Sequence, residues 1–142
     1  MAHSPTQTFS ARMDSLPPAT RFVQDFCAQH GVAAADVLRL TLVVEELLTN
    51  SIVHGHGGGG DAPVQLRLAV GESQLALHFE DQAPPFDPLR YLAEAAPRLD
   101  LGAEERQVGG LGLPLVAQMA EQFDYVHADG RNRLRLVLRR GA

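Results

Sequence analysis

The chain has 142 residues, 45% hydrophobic and 20% charged, the composition of one ordinary domain with enough apolar content to bury its own core. Twelve Lys and Arg against seventeen Asp and Glu give a formal charge of −5, which argues against direct nucleic-acid binding, since that draws its affinity from many cationic contacts to phosphates. One cysteine, Cys27, excludes an intramolecular disulfide, and the first ten residues lack basic and apolar signal regions. With no stretch approaching the ~20 apolar residues of a membrane helix, a single domain over 1–142 in the cytoplasm, away from membranes, is expected.

Residues 6–13 (TQTFSARM) carry the β-branched and aromatic character of a short first strand, interrupted by Asp14-Ser15-Leu16-Pro17-Pro18. Over 18–30, Phe22, Val23, Phe26 and Cys27 recur at helical spacing, and Gly31 stands where a helix-ending glycine belongs. A second helix follows, with an apolar stripe of Val37, Leu40, Val44, Leu47, Leu48, Ser51 and Ile52. Asp36 or a neighbour is expected to cap it, and it should run to about His54 before the glycines of 55–60. VQLRLAV and QLALHFE each alternate with period two around Gly71-Glu72-Ser73, an antiparallel hairpin. A proline-rich elbow over 81–88 leads to a short helix around 89–95 and then to 97–108, which lacks periodicity.

Leu113, Leu115, Val116, Met119 and Ala120 predict a further helix; FDYVHA, a turn at Asp129-Gly130 and NRLRLVLRR close the chain as two strands. A sheet that is apolar on one face needs a cover, and three amphipathic helices are available. The predicted fold is an α/β two-layer sandwich, a mixed, mostly antiparallel sheet covered on one face by helices.

Glu46, Asn50 and His54 lie four apart along a helix, on a line that drifts about 40° per step. A carboxylate and an amide on one face suit a metal or a proton transfer, while a solvated helix face explains the same spacing. VGGLGLP opens a helix with glycines that let backbone N–H groups approach a phosphate, or simply pack closely. It is neither a Walker loop nor the dinucleotide fingerprint, since no Gly-Lys-Ser/Thr follows and Leu115 stands where the third glycine belongs. Asp81, where a hairpin strand ends in DQAPPFDP, suits an acceptor for an exocyclic amine or an ordinary turn aspartate. His54, His56 and Asp61 make a poor metal set, Cys27 reads as core, and Arg133, Arg135, Arg139 and Arg140 read as a solvated face.

In order, EELLTNSIVHG, DQAPPFDP and GGLGLPLV resemble the N, G1 and G2 boxes of the GHKL ATPase superfamily. Over nearly the whole chain, including GRNRLRLVL, the sequence is similar to the small anti-sigma-factor serine kinases of bacterial partner-switching systems. The resemblance implies a Bergerat-type ATP-binding fold with ATP and Mg²⁺. It makes Glu46 the general base, Asn50 the Mg²⁺ ligand and Asp81 the adenine acceptor. Gly110, Leu111, Gly112 and Leu113 fall in the phosphate loop, and Arg106 in a lid reaching the terminal phosphate.

The same resemblance implies a STAS-type anti-anti-sigma substrate, a sigma factor that is sequestered, and a homodimer contacting through the first strand and helix. One departure stands out: Ala83 replaces the glycine of D-x-G, so this turn must avoid positive φ. The alternatives are an ATP-binding switch with little phosphate transfer, or a detached histidine-kinase catalytic domain, which here lacks a dimerising helix pair.

Overall fold

A computed structural model describes residues 1–55, 59–95 and 112–141. The described strands are β1 (Ala2–His3), β2 (Gln7–Ser10), β3 (Pro63–Val70), β4 (Gln74–Asp81), β5 (Ala120–Ala128) and β6 (Arg131–Arg139). They form one sheet in the order β1-β3-β4-β6-β5, with β2 also on β3, and every described pairing is antiparallel. Helices α1 (Leu16–Gln29), α2 (Ala34–Asn50), α3 (Pro88–Ala95) and α4 (Gly112–Met119) accompany the sheet.

Alternation along the strands decides which face the helices cover. Val64, Leu66, Leu68 and Val70 of β3, Leu75, Leu77 and Phe79 of β4, and Leu136 and Leu138 of β6 join one buried cluster with Val23, Phe26 and Cys27 of α1 and Leu40, Val44, Leu47 and Leu48 of α2. Each side chain so buried contributes roughly 1.5–3 kcal/mol relative to exposure. The opposite parity carries Gln65, Arg67, His78, Glu80, Arg133 and Arg135. Within that face Glu80 pairs with both Arg131 and Arg133 at 3.2 Å. Asp129 and Gly130, at φ 55° and 72°, make the tight left-handed turn between β5 and β6 that matches strand twist.

Several boundaries differ from expectation. The first strand is shorter than 6–13, because the chain enters a 3₁₀ turn at Met13–Ser15, and an additional strand, β1, pairs with the far end of β3. Ala120 opens β5 instead of ending α4, and Leu115 points to solvent. The second helix is regular only to Asn50 and continues as a wider π turn over Ser51–Gly55. The cap is also corrected. The residue preceding α2 is Ala33, which has no side-chain cap, and Asp36 is buried one turn in.

Asp36 is turned toward the end of the chain. Its carboxylate accepts from Arg39 at 2.8 Å and from the Gly141 amide at 3.2 and 3.0 Å, while Arg39 also donates to the Arg139 carbonyl. Arg140 donates to the carbonyls of Gly71, His30 and Gly31, so it joins the end of β6 to the β3–β4 hairpin and the α1–α2 connection. Asp36→Ala should cost about 2–3 kcal/mol, because Arg39 and the Gly141 amide both lose an acceptor in a largely dry setting. Urea unfolding measures this; a loss below about 0.5 kcal/mol, the range of ordinary surface changes, is incompatible with that clamp.

Candidate functional site

Helix α2 runs toward the end of β4, carrying Glu46 and Asn50 one turn apart on a half-buried face. The π turn that follows is wide, and single wide turns of this kind recur at functional sites. It brings Ser51 and Gly55 against the last residue of β4, Asp81, which keeps 7% of its surface exposed. Across the sheet, Asp81 is paired in register with Asn132 of β6.

Three donors hold the Asp81 carboxylate. Ser51 Oγ donates to Oδ2 at 2.7 Å; the Ala83 amide and Asn132 Nδ2 donate to Oδ1 at 3.2 and 2.9 Å. A carboxylate offers about four acceptor positions, so one remains, on Oδ2. Asn132 is the hub of the arrangement. Its Nδ2 also donates to the carbonyls of Ala83 and Pro84 at 3.1 and 3.0 Å. Its Oδ1 accepts from Tyr125 Oη at 2.6 Å and from the Phe86 amide at 3.2 Å. The elbow is thereby stitched to β5 and β6. Ala83 is not among the residues of positive φ, as its replacement of glycine requires. Asp87 then caps α3, its Oδ1 accepting from the Leu89 and Arg90 amides, with Pro88 in the first turn.

Asn50, Ser51, Gly55, Asp81, Ala83, Leu113 and Asn132 line one cleft, closed by the apolar side chains of Leu47, Phe79, Phe86 and Leu134. Apolar walls with one directed acceptor on the floor suit a flat heterocycle carrying an exocyclic N–H. The cleft's free volume is about 30 Å³.

Beside the cleft, α4 begins directly over Glu46. A Cβ at Gly112 would overlap the Glu46 carboxylate as it stands, so a larger residue there would push that side chain aside. The Glu46 pKa is raised, first by burial and then by the neighbouring Glu45 charge. Glu46 and Asn50 are hard oxygen donors of the kind Mg²⁺ takes, and the described residues hold no group of three or more His, Cys, Asp or Glu able to cage a metal. A Mg²⁺ held through one side-chain oxygen plus ligand phosphates fits this donor set.

Of the residues singled out from the sequence, Glu46, Asn50, Asp81, Gly112 and Leu113 are brought together. Arg106, Gly110 and Leu111, together with His56 and the segment 97–108, lie outside the described residues. His54 is exposed at the cleft mouth, and Cys27 is fully buried as a free thiol. Ser51, Gly55, Asn132 and Tyr125 were not apparent from the sequence motifs. Asn132 shares the parity of Leu134, Leu136 and Leu138, and a polar residue on the inward side of an apolar strand is a signal in itself.

Asn132→Ala should lower stability by about 2–3 kcal/mol, since Asp81 and the Ala83 carbonyl lose a buried donor and Tyr125 and the Phe86 amide lose a part-buried acceptor. Denaturant unfolding reads it, and a loss under about 0.5 kcal/mol would remove Asn132 as the hub. Glu46 predicts a pH dependence. Its raised folded-state pKa means the protonated form is favoured in the fold, so its contribution is fully present below the ordinary glutamate value and is lost as pH rises through the raised one. Glu46→Gln should therefore unfold at a higher urea midpoint than the parent at pH 8, with the gap closing near pH 4. An unchanged gap across that range would contradict the burial of this charge.

Residues 9–138 match the family model described as the histidine kinase-like ATPase domain. The chain is 32% identical over 98 residues to the serine/threonine-protein kinase BtrW of Bordetella bronchiseptica, covering 69% of this chain and 67% of that one. It is 29% identical over 93 residues to the serine-protein kinase RsbW of Listeria monocytogenes, covering 64% of this chain and 59% of the relative. A chain of the SiaB–SiaC complex of Pseudomonas aeruginosa superposes with a TM-score of 0.69 at 14% identity, over 96% of this chain and 89% of its own length, a likeness of fold. With the antiparallel sheet, the helical cover and the Asp81 cleft in place, the chain belongs to the histidine kinase-like ATPase domain family, among relatives named as serine/threonine-protein kinases.

Proposed function

We propose that this protein is an ATP-dependent serine kinase and anti-sigma factor that phosphorylates a STAS-type anti-anti-sigma protein and sequesters a sigma factor. The observation that carries the ATP site is the buried Asp81 carboxylate, with three of its acceptor positions satisfied and the fourth left at the floor of an apolar cleft. That position takes the exocyclic amine of adenine, with Leu113 and Phe86 against the ring. The triphosphate then runs toward the start of α4 at Gly112 and Leu113, and the sequence resemblance adds Gly110, Leu111 and Arg106 to the groups that meet its charge.

Asn50 would hold Mg²⁺ through its amide oxygen, and the ion when bound supplies charge neutralisation at the phosphates. Glu46 accepts the proton of the attacking serine hydroxyl; the serine oxygen bonds to the γ-phosphorus as the bond to the bridging oxygen of ADP breaks. A carboxylate pushed up by burial is a better base than an exposed one, because catalytic efficiency rises as its pKa nears the working pH. The names of the relatives support a protein kinase; the sigma factor, the anti-anti-sigma partner, homodimerisation and a cytoplasmic setting rest on the sequence resemblance. No described helix is long and apolar enough to cross a membrane.

The test is incubation with γ-labelled ATP, Mg²⁺ and a STAS-type anti-anti-sigma protein from the same genome. The parent should yield phosphoserine on that partner. Glu46→Gln should lower the transfer rate at least about 100-fold, the lower range for loss of a general base, while still binding ATP. Asn50→Ala should lose Mg²⁺-dependent ATP binding. Tight ATP binding with no phosphoserine would leave a nucleotide-controlled binding switch in place of a kinase.

A further inference from the structure

Two features of the sequence have no role so far, the glycine run after His54 and the alanine that replaces glycine in DQAPPFDP. The fold sets Gly55, which opens that run, against Ala83. A Cβ built on Gly55 would stand 2.8 Å from the Ala83 Cβ, nearer than two such carbons approach, and 3.9 Å from both Asp81 Oδ2 and Ser51 Oγ. The obstacle is a methyl mounted directly on the backbone, so no side-chain rotation relieves it. Either the π turn or the elbow would have to move.

Movement of the elbow has a cost in the base site. Ala83 donates its amide to Asp81 Oδ1, and its carbonyl accepts from Asn132; displacing residue 83 strains both bonds that orient the carboxylate. Displacing residue 55 instead shifts the turn that presents Ser51 to Oδ2. The phantom methyl also lies beside Oδ2, the oxygen with an acceptor position to spare. Gly55 and Ala83 both line the cleft.

We propose that Gly55 and Ala83 form a size-matched pair that sets the wall of the nucleobase site. It has room for one methyl, carried by residue 83, and residue 55 must be glycine for the base amine to reach Asp81. The inference rests on the adenine-nucleotide reading of the cleft. It assigns both residues to positioning, acting on the base through Asp81 and Ser51.

The test is Mg·ADP titration by calorimetry on the parent, Gly55→Ala, Ala83→Gly and the double variant, at a temperature where circular dichroism shows all four folded. Overpacking of this kind costs enough that Gly55→Ala should weaken ADP by about tenfold or more, and the double variant should return to within about threefold of the parent. Ala83→Gly alone, which removes the methyl and creates no clash, supplies the reference against which the double variant is compared.

Parent-like affinity in Gly55→Ala, or a double variant no tighter than Gly55→Ala, overturns the proposal. Urea midpoints separate the two possible failures. If the parent itself binds no ADP, the nucleotide reading fails and the pair's role at the base fails with it; a midpoint that drops in Gly55→Ala and recovers in the double variant would then leave the pair as packing alone. If the parent binds and neither affinity nor midpoint recovers, the pair fails and the nucleotide reading stands.

Discussion

A charge withdrawn from water must be met by donors, and the Asp81 carboxylate organises the centre of this molecule on that account. An unpaired buried carboxylate costs several kcal/mol, so the donors around it are as much a condition of folding as of binding. They come from three separate stretches: Ser51 beyond α2, the Ala83 amide in the elbow, and Asn132 on β6. Holding all three in place ties the helical layer, the elbow and the sheet to a single point. What is left after those needs are met, one acceptor position facing an apolar cleft, is the part available to a ligand.

Glu46 illustrates the opposing tendency. Its carboxylate lies against Gly112 at the start of α4, and its ionisation is disfavoured by burial and by Glu45. Asp81 is held by three donors that support the fold, whereas Glu46 is held in a setting that works against its charge. Surroundings thereby give the two carboxylates different tasks: donors fix Asp81 in place, and burial raises the pKa of Glu46. Stability surrendered at one position and retained at the other is a common division in enzyme sites.

Much of this was legible in the chain because periodicity reports local burial. VQLRLAV, QLALHFE and NRLRLVL alternate as strands and pair as such, and the α2 stripe is buried as its spacing predicts. Glu46, Asn50 and Asp81 were found by motif, and the fold brings them to one end of α2. The parts that escaped depend on contacts between distant segments. Ser51 sits within the apolar stripe and reads as core until Asp81, thirty residues away, is placed beside it. Gly55 is indistinguishable from its glycine neighbours until Ala83 stands against it. Asp36 carries every local mark of a helix cap, yet the backbone of Gly141 claims its carboxylate. Local rules describe what a residue prefers, and tertiary contacts decide which preference is met.

The strand order has a consequence for how the molecule is made. β6 is the last of the described strands, yet it lies between β4 and β5 in the sheet. A chain emerging from the ribosome can form the β3–β4 hairpin and its helical cover early, but β4 keeps an unpaired edge until β6 arrives. Asn132 comes with that strand, so Asp81 gains this donor only when a residue 51 positions further along the chain has been added. The cleft is thus completed by the β6 residues Asn132 and Leu134 only after the rest of its described lining has been made.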